Sequence, residues 1–101
     1  MNLLRFTLTF TPTAGKQLEA LERDKGLEKR LKAVRKTLGL METNLHHPSL
    51  NTHEYKSLKG LQGEKVFASY AERKTLAAYR IFWHYGTKRG EIIVIAITPH
   101  P

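Results

Sequence analysis

The sequence predicts an α+β fold in the order β-α-α-β-β-β, with a helical hairpin packed on one face of a small, mostly antiparallel sheet. Three observations predict it. A segment near the N-terminus alternates strictly between apolar and polar residues, two stretches after it have helical periodicity, and three apolar segments separated by short links follow. The chain of 101 residues suits one domain, residues 1–101, and leaves no room for a second.

The first strand is predicted over residues 4–11, because their alternation is typical of a strand with one buried face. The apolar residues on that face are Leu4, Phe6, Leu8 and Phe10. Pro12 ends the strand, and Thr13 is then placed to cap a helix that runs to residue 24. Gly26 breaks this helix.

A second helix is predicted over residues 27–45, because its apolar residues recur at intervals of 4, 3, 4, 3 and 4. These residues are Leu27, Leu31, Val34, Leu38, Met41 and Leu45. The short link at Gly26 indicates that the two helices form a hairpin.

Residues 46–61 are predicted to form a loop, since Pro48, Asn51 and Gly60 interrupt any regular pattern. Three strands are then predicted, over residues 65–71, 77–85 and 91–98. The links, residues 72–76 and 86–90, are short enough for antiparallel hairpins.

Regular hairpins would pair Tyr85 with Glu91 and place Arg80 opposite Ala96 on one side and Ala68 on the other. The face predicted to pack against the helices carries Phe67, Tyr79, Ile81, Trp83, Ile93, Ile95 and Ile97. The other face carries Val66, Ala68, Tyr70, Arg80, Phe82, His84, Val94, Ala96 and Thr98, and His100 has the same parity. A bulge in one strand would change these assignments.

The chain is strongly basic, with 17 Lys and Arg against 9 Asp and Glu, a net charge of +8 and a pI near 10.0. Such a surplus in so small a domain is typical of a protein that binds a polyanion. Nucleic acid is the first candidate partner, an acidic protein the second and an anionic membrane surface the third.

The chain has no cysteine, which excludes disulfide scaffolds, thiolate zinc sites and thiol nucleophiles. No apolar run approaches the roughly 20 residues that span a bilayer, and Arg5 interrupts the segment where a signal peptide would be apolar. A cytoplasmic protein without membrane partners is therefore expected.

Arg80 and His100 are the candidate residues for binding a phosphate and for donating a proton. Arg80 lies in the middle of the strand predicted to be central, where a fixed guanidinium can bind a phosphate through two hydrogen bonds. The alternative is an arginine whose stem covers apolar surface and whose head pairs with a carboxylate. His100 stands between two prolines that stiffen the C-terminal segment, and an imidazole can donate a proton near neutral pH. The alternative is a frayed terminus.

A basic surface accompanies these residues and predicts contacts with a phosphate backbone. On the second helix it comprises Lys29, Arg30, Lys32, Arg35 and Lys36. Around the C-terminal strands it comprises Lys56, Lys59, Lys65, Arg73, Lys74, Lys88 and Arg89. His84, on the predicted Arg80 face but roughly 13 Å along the strand, is expected to touch a flanking nucleotide.

No metal or cofactor is expected. His46, His47 and His53 match no metal-binding spacing, and neither a nucleotide-binding glycine loop nor an acidic metal cluster is present. Cleavage of RNA without a metal stays open, because the ribose 2′-hydroxyl can attack its own phosphate while protein groups supply charge and proton transfer.

The C-terminal sequence, SLKGLQGEKVFASYAERKTLAAYRIFWHY followed by GEIIVIAITPHP, resembles the C-terminal part of the RelE/ParE toxin superfamily. In that superfamily an LKG segment precedes a strand, a strand with YR, two apolar residues and an aromatic follows, and an apolar last strand ends near a functional tail. The predicted order of elements fits it as well, so the resemblance covers nearly the whole chain.

The resemblance implies a toxin that an acidic antitoxin protein inhibits and that cleaves mRNA on the ribosome without a metal. It implies that Arg80 stabilises the scissile phosphate and that His100 is the general acid. Lys56 stands where a catalytic glutamate would match, so Glu54 or Tyr70 is the candidate general base. Two alternatives stay open: a ParE-like inhibitor of DNA gyrase, and a nontoxic RNA-binding member with a degenerate site.

Overall fold

The structure, a computed structural model, describes residues 5–73 and 77–100. Its elements in chain order are strand β1 (Thr7–Phe10), helix α1 (Pro12–Arg23), helix α2 (Glu28–Thr43), and strands β2 (His53–Lys59), β3 (Lys65–Tyr70), β4 (Tyr79–Tyr85) and β5 (Glu91–Pro99). Short 3₁₀ turns at Lys25–Leu27 and Pro48–Leu50 precede α2 and β2. None of the helices in the described part of the chain is both long and apolar enough to cross a membrane.

The strands form one sheet in the order β1-β5-β4-β3-β2, in which β1 runs parallel to β5 and all other neighbours are antiparallel. Both helices pack on one face, which confirms the predicted fold class. Their buried residues and those of the strands beneath form the main core: Ala14, Leu21, Val34, Leu38, Met41, Leu45, Leu50, Ile81, Trp83, Ile92, Val94 and Ile97. We call this the covered face of the sheet, and the opposite one the outer face.

The N-terminal strand is confirmed, although Leu4 lies outside the described residues. The cap predicted at Thr13 is wrong, because Thr11 caps α1 by accepting a hydrogen bond from the backbone N–H of Ala14 at 3.2 Å. Pro12 begins the helix rather than merely ending the strand, since a proline at the first helical position loses no intrahelical hydrogen bond and has a suitable φ.

The apolar stripe of the second helix is confirmed. Val34, Leu38 and Met41 are buried in α2, and Leu45 is buried just after its end. Each such side chain contributes roughly 1.5–3 kcal/mol when it is fully buried. Because this stripe binds α2 to the covered face, the polar side of the helix turns away from the sheet.

The loop predicted over residues 46–61 is wrong in its second half, which contains the edge strand β2. This strand carries exposed lysines and a register shift between Glu54 and Lys59. Both features are typical of protected edge strands, and both obscure the alternation on which strand prediction depends.

The predicted register is also wrong. Arg80 pairs with Tyr70 and Thr98, while Phe82 is the residue that lies between Ala68 and Ala96. At Arg80, the register of the β4–β5 hairpin differs from the predicted one by two residues. The turn accounts for the first, because Tyr85 pairs with Ile92 rather than with Glu91. The second comes from a bulge.

The bulge lies at Ile95, because Phe82 pairs with Ala96 and Trp83 pairs with Val94. The turn therefore moves Ile92 and Val94 onto the covered face and Ile93 onto the outer face, contrary to the prediction. The bulge then restores the predicted parity, so that Ile97 is in the core as expected. Ile95 itself belongs to a small outer-face cluster around Val66, Ala68 and Phe82.

Two residues of the N-terminal half hold the bulge. Strand β1 ends at Phe10, so the next part of β5 has no strand beside it. The Thr11 hydroxyl donates to the carbonyl of Ile95 at 3.2 Å, and the side-chain oxygen of Gln17 accepts from the backbone N–H of Ile97 at 2.7 Å. These bonds satisfy backbone groups that would otherwise be orphaned.

Candidate active site and nucleic-acid interface

Arg80 lies on the outer face of the central strands. Its immediate cross-strand neighbours are Tyr70 on β3 and Thr98 on β5, within the 4.5–5.5 Å that Cβ atoms of directly opposed residues typically span. Arg80 is only 7% exposed. A long cation is thus buried on the side of the sheet that no helix covers.

The surroundings of Arg80 are aromatic rather than acidic. Its guanidinium carbon lies 4.8 Å from the ring centroid of Phe82 and 5.6 Å from that of Tyr55. No carboxylate of the described residues forms an ion pair with it. Its Nε is the only buried side-chain nitrogen or oxygen in the described ranges that lacks a hydrogen-bond partner. The aromatic rings fix the position of the guanidinium and leave a donor unused.

Tyr70 lies beside Arg80 and is itself held by an aromatic contact. The ring of His53, on the edge strand, stacks on Tyr70 with centroids 5.6 Å apart and an interplanar angle of 26°. Nδ1 of His53 lies 3.2 Å from the carbonyl oxygen of Asn51, which can only accept, so this nitrogen carries the proton. Nε2 of a neutral His53 is then an acceptor.

His100 continues the line of β5 on the outer face. Its backbone N–H donates to the carbonyl of Ala78 at 2.8 Å, so the β4–β5 ladder extends one pair beyond Pro99. By strand alternation His100 is on the face of Thr98, the residue directly opposite Arg80. Its side chain is exposed. The backbone therefore keeps the terminal histidine near Arg80 and open to solvent.

Glu54 is not brought to Arg80. It pairs with Phe67, whose ring packs against the core of the covered face, and alternation gives the two residues the same side. Its carboxylate lies 3.9 Å from Nζ of Lys59. Of the two candidate bases, only Tyr70 shares the outer face with Arg80, and the catalytic roles of both stay predictions.

Three of the arginines predicted to bind RNA have partners inside the chain. Arg30 donates to the carbonyl of Ala77 at 2.6 Å, and Arg73 donates to two carbonyls of the 3₁₀ turn before β2 at 3.1 Å each. Arg35 forms an exposed ion pair with Glu22 at 3.0 Å. These three arginines lie in α2 or in loops beside it, on the side of the sheet opposite the outer face.

The remaining cations are exposed and form two groups. On α2, on the covered side of the sheet, these are Lys29, Lys32 and Lys36. Around the ends of the strands these are Lys56, Lys59, Lys65, Lys88 and Arg89. Lys74 lies outside the described residues. Of the second group, Lys59 lines a cleft of the outer face. The contacts of both groups with nucleic acid stay predictions.

His84 lies on the outer face at the other end of β4. Nδ1 of its ring donates to the carbonyl of Tyr85 at 2.8 Å. The pKa of Glu64, on the neighbouring β2–β3 turn, lies below its ordinary value. The largest causes are hydrogen bonds from the backbone N–H groups of Glu64 itself and Gln62, which hold the pKa of the carboxyl below its ordinary value because they stabilise the charged form.

His46, His47 and His53 line a cleft of about 450 Å³ beside Trp83 and Tyr85. Nδ1 of His47 accepts from the backbone N–H of the residue two positions on, at 3.1 Å. Within residues 5–73 and 77–100, no group of three or more His, Asp or Glu side chains could hold a metal ion.

Sequence reasoning missed the rings that support Arg80. The sequence predicts a loop at Tyr55, and it predicts Phe82 on the correct face but two residues out of register. The alternation of His53 and Tyr55 around Glu54 is the one signal that could have revealed β2, and it is too short to distinguish a strand from a loop.

Comparison with known proteins relies on structure alone, since no protein-family model and no curated protein sequence matches the chain. A YoeB/ParE toxin from Agrobacterium tumefaciens is similar over 95% of this chain and 100% of that one, with a TM-score of 0.67 and 11% identity. The archaeal RelE–RelB complex from Pyrococcus horikoshii OT3 contains a chain that is similar over 94% of both, with a TM-score of 0.62 and 10% identity. At such identities the likeness establishes the fold, which is that of the RelE/ParE toxins.

Proposed function

We propose that this chain, whose fold is that of the RelE/ParE toxins, is the toxin of a toxin–antitoxin pair and cleaves mRNA without a metal. Its substrate would be RNA presented by the ribosome. One observation carries the proposal: Arg80 is buried on an uncovered sheet face, with an unpaired Nε and without a carboxylate.

The state of Arg80 supports phosphate binding in particular. Buried polar atoms are almost always hydrogen-bonded, so an unpaired donor on a fixed side chain calls for a ligand. Nε and one terminal nitrogen of a guanidinium together match two oxygens of a phosphate. Tyr55 and Phe82 hold the group without neutralising it, which leaves its full charge for the phosphate.

The proposed reaction is transesterification within the RNA. The ribose 2′-oxygen attacks the adjacent phosphorus, the bond from phosphorus to the 5′-oxygen breaks, and the products are a 2′,3′-cyclic phosphate and a free 5′-hydroxyl. Arg80 would stabilise the charge that develops on the phosphate oxygens. His100 would donate the proton to the leaving 5′-oxygen.

The general base has two candidates, and geometry favours one. Tyr70 lies directly beside Arg80 on the outer face, whereas Glu54 lies on the other side of its strand and near Lys59. We therefore assign the acceptance of the 2′-hydroxyl proton to Tyr70. Lys56, Lys59 and Lys65 at the rim would contact neighbouring phosphates.

An acidic antitoxin is the proposed protein partner. The chain carries a charge of +8, which a small acidic protein would complement. The similar archaeal chain was solved as a complex of RelE with RelB. A small acidic open reading frame next to this gene, whose co-expression restores growth, is the expected finding.

The test is expression of the chain in a bacterial host, with the 5′ ends of transcripts mapped by primer extension. We expect growth arrest and new 5′ ends within coding sequences, and both effects should be lost in Arg80→Ala and His100→Ala variants that remain folded. Undiminished arrest in both variants would contradict the assignment. Arrest with intact transcripts and DNA-damage signalling would instead indicate gyrase as the target.

The requirement for the ribosome needs a separate measurement. Purified chain is mixed with a defined mRNA, either alone or on translating ribosomes. Cleavage in the second mixture only is the expected result, and equal cleavage in both would show that the chain acts on free RNA.

A further inference from the structure

A second cleft opens on the outer face, beyond the end of the Arg80 site. It has a volume of about 630 Å³ and lies between the β2–β3 turn, the β4–β5 turn and the beginning of α1. Ile93 and Ile95, both half-buried, face it from β5, and the fully exposed Leu61 stands at its rim. An apolar floor in an open cleft is suited to a flat ligand.

Two carboxylates border the cleft, and each is seated over a glycine. A Cβ atom at position 60 would collide with the carboxylate of Glu64, and one at position 86 would collide with that of Glu91. Glu64 accepts from the backbone N–H of Gln62 at 2.9 Å, and Glu91 accepts from the hydroxyl of Thr9 at 3.3 Å. The two turns thus fix both carboxylates, each of which keeps further acceptor positions.

His84 stands between the two turns and lines the same cleft. The residue is 9% exposed, and its Nδ1 hydrogen is used by the carbonyl of Tyr85. Nε2 of the neutral ring is consequently an acceptor, and within the described ranges it has no hydrogen-bond partner. Because Nε of Arg80 is the only buried side-chain nitrogen or oxygen without a partner in the described ranges, Nε2 of His84 is open to solvent, and a ligand in the cleft can donate to it.

The charge of the cleft is opposite to that of the chain. Lys59 is the one cation among its lining residues, against Glu64 and Glu91. A phosphate would therefore be repelled, whereas a flat apolar group with N–H donors on its edge would match the floor and the acceptors. Among nucleobases, guanine offers the adjacent N1–H and N2–H₂ donors that one carboxylate can accept together.

We propose that this cleft binds an RNA base near the phosphate held by Arg80 and selects guanine through Glu64. The assignment rests on the proposed function, since it takes the ligand to be RNA. His84 lies four positions after Arg80 in β4, roughly 13 Å along the strand, so the selected base belongs to a nucleotide other than the one being cleaved.

The test is a titration of the ¹⁵N-labelled chain with guanosine and with adenosine, followed by NMR. Nucleosides are used because they lack the phosphate that Arg80 would attract. We expect guanosine to shift the signals of Glu64, His84 and Gly86 and to bind roughly 5- to 100-fold more tightly than adenosine, the discrimination typical of one bidentate base contact.

The matched variants are Glu64→Gln and Glu19→Gln. Glutamine keeps an oxygen for the N–H of Gln62 but replaces the other acceptor by a donor, so the preference for guanosine should disappear. Glu19 is exposed on α1, away from the cleft, and its variant should retain the preference. Equal binding of both nucleosides, or no shift at the cleft at millimolar guanosine, would overturn the inference.

Further outcomes separate this inference from the proposed function. Guanosine selection in a chain that leaves transcripts intact would overturn the nuclease proposal and keep the cleft as a guanine site. Transcript cleavage without guanosine selection would overturn the guanine site and keep the nuclease proposal. Stronger binding of N-acetyl-arginine amide than of guanosine, lost in Glu64→Gln, would mean that the cleft takes a guanidinium of a protein partner and would overturn the assignment to RNA.

Discussion

The two faces of the sheet treat their buried polar groups differently. On the covered face, the Ser69 hydroxyl accepts from Nε1 of Trp83 at 2.9 Å and lies 2.7 Å from the hydroxyl of Thr52. On the outer face, Nε of Arg80 is equally buried and has no partner. Both groups belong to the same sheet, so the difference in their hydrogen bonding comes from what covers each face.

This contrast identifies the candidate site better than charge does. Helix α2 holds the densest run of cations, yet Arg30 and Arg35 are engaged by the chain itself. Arg80 stands among aromatic rings and is, among residues 5–73 and 77–100, the cation with an unused buried donor. Substitutions on the outer face should therefore reduce function with little change in stability, and substitutions on the covered face should do the opposite.

The largest effect is expected for Arg80→Met, which retains an unbranched stem over Phe82 and removes the guanidinium. RNA cleavage should fall about 10²- to 10³-fold, because one preorganised group that stabilises the developing charge is lost. The melting temperature should change little, since Nε makes no internal hydrogen bond. Cleavage rates and thermal unfolding are measured together, with Arg35→Met as the control that should retain activity. A large loss of stability without a specific loss of activity would break the contrast.

A smaller and opposite effect is expected for Ser69→Ala. The variant leaves Nε1 of Trp83 buried without an acceptor, which should lower the free energy of unfolding by roughly 1–3 kcal/mol. Urea unfolding gives the free energy, and cleavage measured well below the transition should be unchanged. Ser57→Ala, at an exposed position of β2, is the matched control. An equal loss in both variants would mean that the bond to Trp83 contributes nothing.

The elements that could be predicted from the sequence are those in which burial on one face produces a regular spacing of apolar residues. Spacings of three and four along α2 and alternation along β1 come directly from burial on one face, so they were visible. Strand β2 escaped prediction because an edge strand buries little and carries lysines for protection. Its absence also removed Tyr55 from the predicted surroundings of Arg80.

The register could not be predicted because its causes are distant in sequence. The bulge at Ile95 is held by Thr11 and Gln17, more than 75 positions away, and no local pattern reports such bonds. Arg80 was identified from its position in the strand, but the alanines expected beside it flank Phe82 instead. Arg80 nevertheless lies on the predicted face. Its partners on β3 and β5 each differ from the predicted ones by two residues, and a shift of two residues leaves a side chain on the same face.

A third prediction tests whether the cations of the covered side are structural. Arg30, whose side chain is 26% exposed, binds the Ala77 carbonyl and lies 3.5 Å from Glu72, whose carboxylate accepts from the N–H of Tyr79. Arg30→Ala should lower the free energy of unfolding by about 1–2 kcal/mol, since a hydrogen bond from a charged group in a partly exposed position is lost. Arg35→Ala, which breaks an exposed ion pair, should cost at most about 0.5 kcal/mol.

The measurement for this pair is urea unfolding together with RNA affinity at several salt concentrations. Both variants should bind RNA with a salt dependence close to that of the unaltered chain. A marked decrease of the salt slope in either variant would show that α2 contacts phosphates, and the covered side would then be part of the interface.

The smallest effect concerns Glu64, on the outer face. Backbone hydrogen bonds hold its pKa below the ordinary value, so the folded state binds a proton there less readily than the unfolded chain. The resulting stabilisation is complete above the ordinary pKa and is lost as the pH falls through the lowered one. Stability curves of the unaltered chain and of Glu64→Gln, measured from neutral pH into the acid range, should therefore converge below the ordinary carboxyl pKa. Parallel curves would mean that the turn does not hold the carboxylate, and the acceptor that the cleft offers to a base would not be preorganised.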